Sequence, residues 1–429
     1  MSHISRGHWV ICRLSYLALL APLAAELTAC GGSGNPLAAA PYNAAGQISY
    51  STEDGSRQVD PNKPLEVTIK GDGNKITDVT ATDAAGRFVR GELGADRTKW
   101  RSTAPLAAGA HYTVRVSTEN ASGAQGRQTI GFDTRPAGST LKVRIGPDSG
   151  DYGVGQPITA ELSQPVKGPA ARAVIESALH VSAIPAVSGA WHWVDDRTLH
   201  YRPREYWPAD ARINVTSTLL GARIQGNLYG GDANTVTLHT GDRVIAVTDA
   251  AAHQLTVSRN GQVQRTIPVT TGKPGFSTRN GIKVVLGKES FVRMKSSTIG
   301  ISSGSSDSYD LPVYWATRVT WSGEYVHAAP WSVGSQGSDN VSHGCTGMST
   351  DNAHWFFGQV RTGDIVQVVN SQGATMEPFG NGFGDWNLSW DAWTKGSALS
   401  GRGGSANHPG GENSAAPHPS SPARLTPRT

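Results

Sequence analysis

Residues 342–347 read Ser-His-Gly-Cys-Thr-Gly, and a second histidine, His327, lies eighteen positions before Cys345 in the stretch Tyr-Val-His-Ala-Ala-Pro-Trp. A cysteine nucleophile needs a general base within hydrogen-bond reach and N–H donors for the developing oxyanion. His327 can supply the base. The amide groups of Gly344 and Cys345 can form part of the oxyanion hole, because glycine lets a substrate approach the backbone closely. We expect His343, two residues from the cysteine, to orient the loop or contact the intermediate.

The amino end has the features of an export signal. A positively charged start precedes a short apolar segment, residues 14–25, which is too short for a permanent transmembrane helix. Leu-Thr-Ala-Cys at 27–30 is similar to a bacterial lipobox, in which the cysteine receives a lipid. We therefore expect a lipoprotein signal peptide over 1–29, lipidation of Cys30 and a tether over 30–43. Ordinary cleavage without a lipid is the alternative.

The cysteine count supports a chemical role for Cys345. The chain has three cysteines; Cys12 would leave with the signal, and Cys30 would carry the lipid. Exported proteins normally pair their cysteines or avoid them. A lone thiol beside histidine and glycine is therefore expected to be a nucleophile. The lipid would anchor the protein to the outer face of the cell membrane, where it would face the wall.

Composition narrows the class of protein. With 51 glycines, 24 prolines and 38% hydrophobic residues, the chain is expected to be a turn-rich β protein. The net charge of +4 is small and no dense Lys/Arg run follows the signal, so we expect no nucleic-acid partner. The sequence contains no HExxH and no Cys/His cluster at ligand spacing, so we expect neither a metal nor another cofactor.

Short alternating strands separated by turn signals fill residues 44–138, and the same pattern returns over 139–242. The two segments end alike, in Phe-Asp-Thr at 132–134 and Leu-His-Thr at 238–240. This weak internal repeat predicts two tandem immunoglobulin-like sandwiches.

A third unit is expected over 243–370. Asn-Gly at 260–261 is a strong hairpin signal, and Ser349 or Thr350 can cap a helix that runs to about Val360. Because that helix follows the cysteine loop, its partial positive charge is expected to favour a thiolate.

The last part of the chain divides into two segments. Trp386, Trp390 and Trp393 are spaced by four and three positions, which predicts one face of a short helix that packs on another domain. We expect a Trp-rich subdomain over 371–395 and a disordered tail over 396–429, which is rich in Gly, Ser, Pro and Asn.

The arrangement of His327 and Ser-His-Gly-Cys resembles the L,D-transpeptidase family, which has a YkuD-type catalytic domain. The family pattern is a histidine, some fifteen residues, then Ser/Thr-His-Gly-Cys, an apolar residue and asparagine. The resemblance covers about 243–394, and the whole layout is similar to mycobacterial-type lipoprotein enzymes with two immunoglobulin-like domains. It implies a mainly β chain in which two sandwiches precede a β-rich catalytic domain with a short helix after the cysteine loop.

The resemblance implies a role for each matching position. Cys345 is similar to the nucleophile, His327 to its base, His343 to the second motif histidine and Gly344 to an oxyanion N–H donor. Residues 294–315 resemble the loop that covers the substrate. The positions that match substrate-lining residues are Met294, Tyr309, Trp331, Ser342 and Gly347. Glycine at 347 departs from the family asparagine, so altered substrate or inhibitor preference is expected.

The resemblance also implies a reaction on peptidoglycan stem peptides. The cysteine would attack the third residue, diaminopimelate, of a tetrapeptide stem and release D-Ala. The side-chain amine of a second stem would then attack the thioester and form a 3→3 cross-link. Carbapenems would acylate the same cysteine.

Other readings stay open at this point. A related enzyme could hydrolyse the thioester as an L,D-carboxypeptidase or attach a protein to the wall. A remote alternative is a non-catalytic wall-binding lipoprotein. Sortases need an arginine on a strand after the cysteine, whereas Arg361 falls at a predicted helix end. Papain-like peptidases place the cysteine before the histidine, the reverse of the order here.

Overall fold

The computed structural model describes residues 40–302 and 304–400. The expected signal peptide, Cys30, most of the expected tether and residues 401–429 lie outside the described residues. The described part is mainly β, with immunoglobulin-like units ahead of a β-rich catalytic unit, so the predicted fold class is confirmed. None of the helices in these residues is long and apolar enough to cross a bilayer.

The first unit is a sandwich of two four-stranded sheets, ordered β1-β8-β7-β4 and β2-β3-β6-β5. Its strands are β1 Tyr42–Asn43, β2 Ile48–Tyr50, β3 Glu66–Ile69, β4 Lys75–Asp83, β5 Gly91–Leu93, β6 Lys99–Ser102, β7 His111–Glu119 and β8 Gln125–Asp133. Alternate residues of β7, including Val114 and Val116, are buried between the sheets. Because β1 pairs with β8, the last residues of the segment expected as tether belong to this sandwich.

The second unit has a four-stranded sheet, β10-β18-β15-β12, and a six-stranded sheet, β13-β14-β11-β9-β17-β16. Its strands are β9 Ser139–Gly146, β10 Gly150–Tyr152, β11 Ile158–Leu162, β12 Leu179–Ile184, β13 Gly189–Trp193, β14 Thr198–Pro203, β15 Arg212–Ser217, β16 Arg223–Gln225, β17 Leu228–Ala233 and β18 Val236–Thr240. It also contains a helix that the β pattern did not predict, α1 Pro169–Ala178. Pro169 begins this helix, and Ile175 is buried in the sandwich core.

The weak internal repeat corresponds to the same hydrogen-bonded corner in both sandwiches. The Thr134 hydroxyl donates to the carbonyl of Ala107 and accepts from the N–H of Ala110. In the same way, the Thr240 hydroxyl donates to the carbonyl of Pro208 and accepts from the N–H of the residue three positions after Pro208. Both threonines are buried, so each satisfies backbone groups that would otherwise be costly to bury.

The catalytic unit consists of two sheets, β21-β20-β19-β27-β22 and β23-β24-β25-β26. Its elements are β19 Val244–Asp249, β20 Gln254–Arg259, β21 Gln262–Pro268, β22 Gly281–Val284, β23 Gly287–Lys295, β24 Asp310–Arg318, β25 Tyr325–Ala328, β26 Thr346–Met348, α2 Thr350–Gln359 and β27 Ile365–Val369. The Ser349 hydroxyl caps α2 by accepting from the N–H of Asn352, as its sequence predicts. Phe356 of α2 is buried in one core with residues of both sheets.

The C-terminal segment packs on the second sandwich. Trp390 and Trp393 lie on a short helix, α3 Trp390–Lys395, but Trp386 lies in a separate 3₁₀ turn, Asp385–Asn387. The Trp393 indole is fully buried and donates to the carbonyl of Ala190 at 2.9 Å. The Arg202 guanidinium of the sandwich lies over the rings of all three tryptophans at 4.4–5.6 Å.

The first residues of the expected disordered tail are ordered. The Ser397 hydroxyl and the N–H of Ala398 both donate to the buried carboxylate of Glu176 on α1. Residues 396–400 therefore extend the contact between the C-terminal segment and the second sandwich, because they meet a buried acceptor there. Their composition alone does not reveal that acceptor.

Candidate active site

Strand pairing brings the two motif residues together. β25 and β26 are parallel neighbours, and His327 on β25 lies opposite Gly347, two positions after Cys345. The parallel pair is possible because the long connection between the strands leaves room for a crossover. The structure therefore places the predicted base and the predicted nucleophile at the edge of one sheet.

Both residues line a cavity of about 260 Å³ beneath the β23–β24 hairpin. The five positions predicted to line the substrate site all contribute to it, and most of the lining surface is apolar. The lining consists of Thr270, Met294, Tyr309, Leu311, Val313, His327, Ala329, Trp331, Ser332, Val341, Ser342, His343, Cys345 and Gly347. Residues 294–315, which the sequence predicts to cover the substrate, form the end of this hairpin; 294–295 and 310–315 are strand, and Ser296–Ile299 form a 3₁₀ turn.

His327 is buried and held in one orientation. Its Nδ1 lies 2.7 Å from the carbonyl oxygen of Ala328. Since a carbonyl can only accept, Nδ1 carries the proton and Nε2 is left as the basic nitrogen. Burial lowers the pKa of His327, and the bond to Ala328 opposes this only in part. His327 is therefore neutral at pH 7 and able to take a proton.

Cys345 is the free cysteine of the described residues, and it rests as a thiol. Its sulfur lies 3.5 Å from the carbonyl oxygen of Gly323. Burial raises the pKa of the Cys345 thiol to about 12, against the opposing effect of the N–H of Tyr325. The expectation that a helix terminus favours a thiolate is wrong here. β26 separates the cysteine from α2, and a helix dipole acts only close to its first turn.

The cysteine loop is fixed by its own side chains and by Thr278. The Ser342 hydroxyl donates to the Cys345 carbonyl at 2.6 Å and accepts from the N–H of Gly344 at 3.2 Å. The Thr278 hydroxyl donates to the carbonyl of Gly344 at 2.8 Å. Gly344 has φ of 121°, which favours glycine. Its N–H is thus engaged within the loop, and the oxyanion role predicted for Gly344 requires release of the long bond to Ser342.

His343 is packed between aromatic rings and faces a carboxylate. Its ring lies 4.7 Å from Phe276 and 5.1 Å from Tyr309. Its Nε2 approaches Asp307 to 3.5 Å, which is too long for a good hydrogen bond. Asp307 is bound more closely by the Lys273 ammonium, at 2.5 Å. Burial and the positive charge of Lys273 lower the pKa of His343. Its role in orienting the loop stays a prediction.

A second cavity, of about 500 Å³, is also lined by Cys345. It is more polar than the first, and Tyr309, His343 and Cys345 belong to both. Its lining consists of Gly275, Phe276, Ser277, Arg279, Thr298, Tyr309, Ser322, Gly323, Glu324, His343, Gly344, Cys345 and Ala374. Cys345 therefore borders two cavities of different polarity.

The sequence interpretation missed an ion pair beside the cysteine. Lys283 of β22 is completely buried, with its ammonium 2.5 Å from the carboxylate of Glu324. A lysine at an inward position of the strand Ile-Lys-Val-Val is a signal that could have indicated it. In the described part of the chain, no group of three or more His, Cys, Asp or Glu side chains is arranged to hold a metal ion.

Comparison with known proteins agrees with this geometry. The family model of the L,D-transpeptidase catalytic domain matches residues 243–368, and that of the bacterial Ig domain matches 56–223. L,D-transpeptidase 2 of Mycobacterium tuberculosis is 36% identical over 352 residues, which are 82% of this chain and 85% of that protein. L,D-transpeptidase 1 of the same species is 42% identical over 217 residues, 51% of this chain and 80% of that protein.

A solved structure of an LD transpeptidase in complex with imipenem is 41% identical, covers 52% of this chain and 97% of its own, and has a TM-score of 0.46. The identity that extends over most of the chain to L,D-transpeptidase 2 includes both the sandwich units and the catalytic unit. The chain belongs to the L,D-transpeptidase family, whose members are acyltransferase-type enzymes.

Proposed function

We propose that this chain forms 3→3 cross-links between diaminopimelate residues of peptidoglycan stem peptides, through a thioester on Cys345. The observation that carries the proposal is the placement of a neutral, oriented His327 and the Cys345 thiol in one mostly apolar cavity. A transferase must keep water from its thioester, and apolar residues of the covering hairpin serve that purpose.

In the first step the Cys345 sulfur attacks the carbonyl carbon of the third stem residue. His327 Nε2 takes the thiol proton and delivers it to the amine of the departing D-Ala, so a carbon–sulfur bond replaces the peptide bond. The Tyr309 hydroxyl borders both cavities, and we assign it to the oxyanion.

In the second step the side-chain amine of another stem attacks the thioester. His327 takes the proton of that amine and returns a proton to the sulfur, which regenerates the thiol. Because Cys345 borders two cavities, we assign one cavity to each of the two peptides. We further propose that a lipid on Cys30 anchors the enzyme to the outer face of the membrane, within reach of its substrate in the wall.

The test uses the full chain with a disaccharide-tetrapeptide and tandem mass spectrometry of the products. The proposal predicts a dimer joined between two diaminopimelate residues, with one D-Ala released per dimer. Tripeptide alone would identify an L,D-carboxypeptidase and contradict the transfer step. The absence of any product would support the non-catalytic reading.

The same preparation should be treated with imipenem, the compound present in the solved structure of the related enzyme. We expect a covalent adduct that maps to Cys345 and is absent from Cys345→Ala. An adduct retained by that variant would overturn the assignment of the nucleophile.

A further inference from the structure

An ion triad lies directly behind the cysteine loop. The Lys283 ammonium is 2.5 Å from Oε2 of Glu324. Arg279 holds the other carboxylate oxygen with both its backbone N–H, at 3.1 Å, and its guanidinium, at 3.2 Å. Buried ion pairs contribute little net stability, because each charge must first be removed from water. A purely stabilising role is therefore a poor explanation for a fully buried lysine here.

The triad is joined to Cys345 through the segment 323–325. The carbonyl of Gly323 lies against the sulfur at 3.5 Å, and the N–H of Tyr325 donates to it. Glu324 is the residue between them, so the two backbone groups that contact the sulfur flank the anchored carboxylate. Glu324 also lies beneath Gly344, since its Cγ is 3.9 Å from the point where a Cβ on Gly344 would be.

The charges of the triad act on the sulfur in opposite directions. Two cations, Arg279 and Lys283, share the single carboxylate of Glu324, but only Lys283 is fully buried. Glu324 acts to raise the pKa of the Cys345 thiol, and the positive charge of Lys283 acts to lower it. Lys283 therefore offsets part of the effect of Glu324 on the anion that develops on sulfur when His327 removes the proton.

We propose that the Arg279–Glu324–Lys283 triad is a positioning element of the catalytic centre, which holds the segment 323–325 against Cys345 and places the opposite charges of Lys283 and Glu324 behind its sulfur. This inference rests on the proposed role of Cys345 as nucleophile. None of the three side chains touches the reacting carbonyl; they act through the cysteine and its backbone partners.

The test measures thiolate formation directly, without substrate. The full chain is treated with a maleimide between pH 7 and pH 9, and modification of the Cys345 peptide is followed by mass spectrometry. Lys283→Met removes the buried positive charge and should slow modification about tenfold, the effect of one pKa unit. Arg279→Gln removes a partly exposed charge and should slow modification by a smaller factor. Glu324→Gln keeps the shape and removes the negative charge, so it should accelerate modification about tenfold.

The opposite signs separate an electrostatic role from a structural one. If Lys283→Met and Glu324→Gln change the rate in the same direction, or leave it unchanged, the proposal is overturned. Arg259→Met is the matched control, because Arg259 lies on β20, which lines neither cavity. This variant breaks the ion pair between Arg259 and Asp242 and should leave the rate of maleimide modification unchanged.

Two further readouts complete the test. The Arg279 side chain is 39% exposed, so Arg279→Gln should fold even if Lys283→Met does not. Turnover of Cys345→Ala is measured alongside: activity in that variant would refute the proposed function, whereas the maleimide rates still report on the triad. The ionisable groups near the sulfur, whose titration the pH series must include, are Arg279, Lys283, Tyr309, Glu324, Tyr325, His327 and His343.

Discussion

In the resting enzyme, Cys345 should react slowly with ordinary thiol reagents. Burial raises the pKa of its thiol from 9.0 to about 12. A rise of this size lowers the thiolate fraction at pH 7 by about a thousandfold relative to an exposed cysteine. Because the thiolate is the reactive species, modification of Cys345 by a maleimide should be slower by the same factor.

The assay compares the Cys345 peptide of the folded chain with that of the chain unfolded in guanidinium chloride. In the folded chain the logarithm of the rate should rise with a slope near one up to pH 9, without a plateau. Imipenem acylation should not be limited by the low thiolate fraction, because His327 removes the thiol proton during the attack. His327→Gln should therefore slow acylation by about 10²–10⁴ and leave the maleimide rate nearly unchanged. A plateau below pH 8 in the folded chain would refute the reasoning and indicate a preformed thiolate.

Three substitutions test other parts of the account. Gly347→Ala should lower kcat/KM and cost about 1–3 kcal/mol of unfolding free energy, because the new Cβ would lie 2.9 Å from that of Ala329; kinetics and thermal melting measure the two effects. Thr278→Val should cost about 1–3 kcal/mol and loosen the cysteine loop, since it removes the hydroxyl bonded to the Gly344 carbonyl; hydrogen exchange of the loop reports it. Burial raises the pKa of Asp364 to about 7, so the unfolding free energy should fall as the pH rises from about 4 to about 7, and Asp364→Asn should flatten that dependence in denaturant titrations.

Matched variants control these results. Gly358→Ala adds a Cβ in α2 where no atom lies within 4 Å, so it should stabilise the protein slightly and leave kcat/KM unchanged. Thr278→Ser keeps the hydroxyl and should retain the loop. If Gly347→Ala matches the parent enzyme in both activity and stability, the tight packing behind the cavity has been misjudged. If Asp364→Asn keeps the pH dependence, another buried group is responsible.

Local patterns predicted the β character of the three units and the helix after the cysteine loop, but not helix α1. Alternating strands and the Asn-Gly hairpin signal correspond to strands in the structure, and Ser349 caps α2 as predicted. His327 and Cys345 could be predicted as partners because they belong to one motif with a characteristic spacing. In the structure, the parallel strands β25 and β26 bring the two residues together. The repeated Phe-Asp-Thr and Leu-His-Thr endings have the same physical cause: in each, a threonine hydroxyl hydrogen-bonds to backbone groups that are buried at a corner of the sandwich.

Features that depend on burial in the tertiary structure could not be predicted from the sequence. The charge state of Cys345 could not be predicted, because neither the strand β26 between the cysteine and α2 nor the burial of the thiol is visible in the sequence. Glu324 and Lys283 are 41 positions apart, so no local pattern joins them. Residues 396–400 have the composition of a disordered tail, yet they are ordered by the buried carboxylate of Glu176, which belongs to another domain.

The most direct test of the central claim is rapid-quench mass spectrometry of the full chain mixed with a disaccharide-tetrapeptide. The account predicts an acyl-enzyme with the mass of the stem lacking D-Ala, attached to Cys345, that forms with equimolar D-Ala and decays when a second stem is added. In His327→Gln the adduct should form about 10²–10⁴ more slowly. An adduct on another residue, or cross-linked product without any adduct on Cys345, would contradict it.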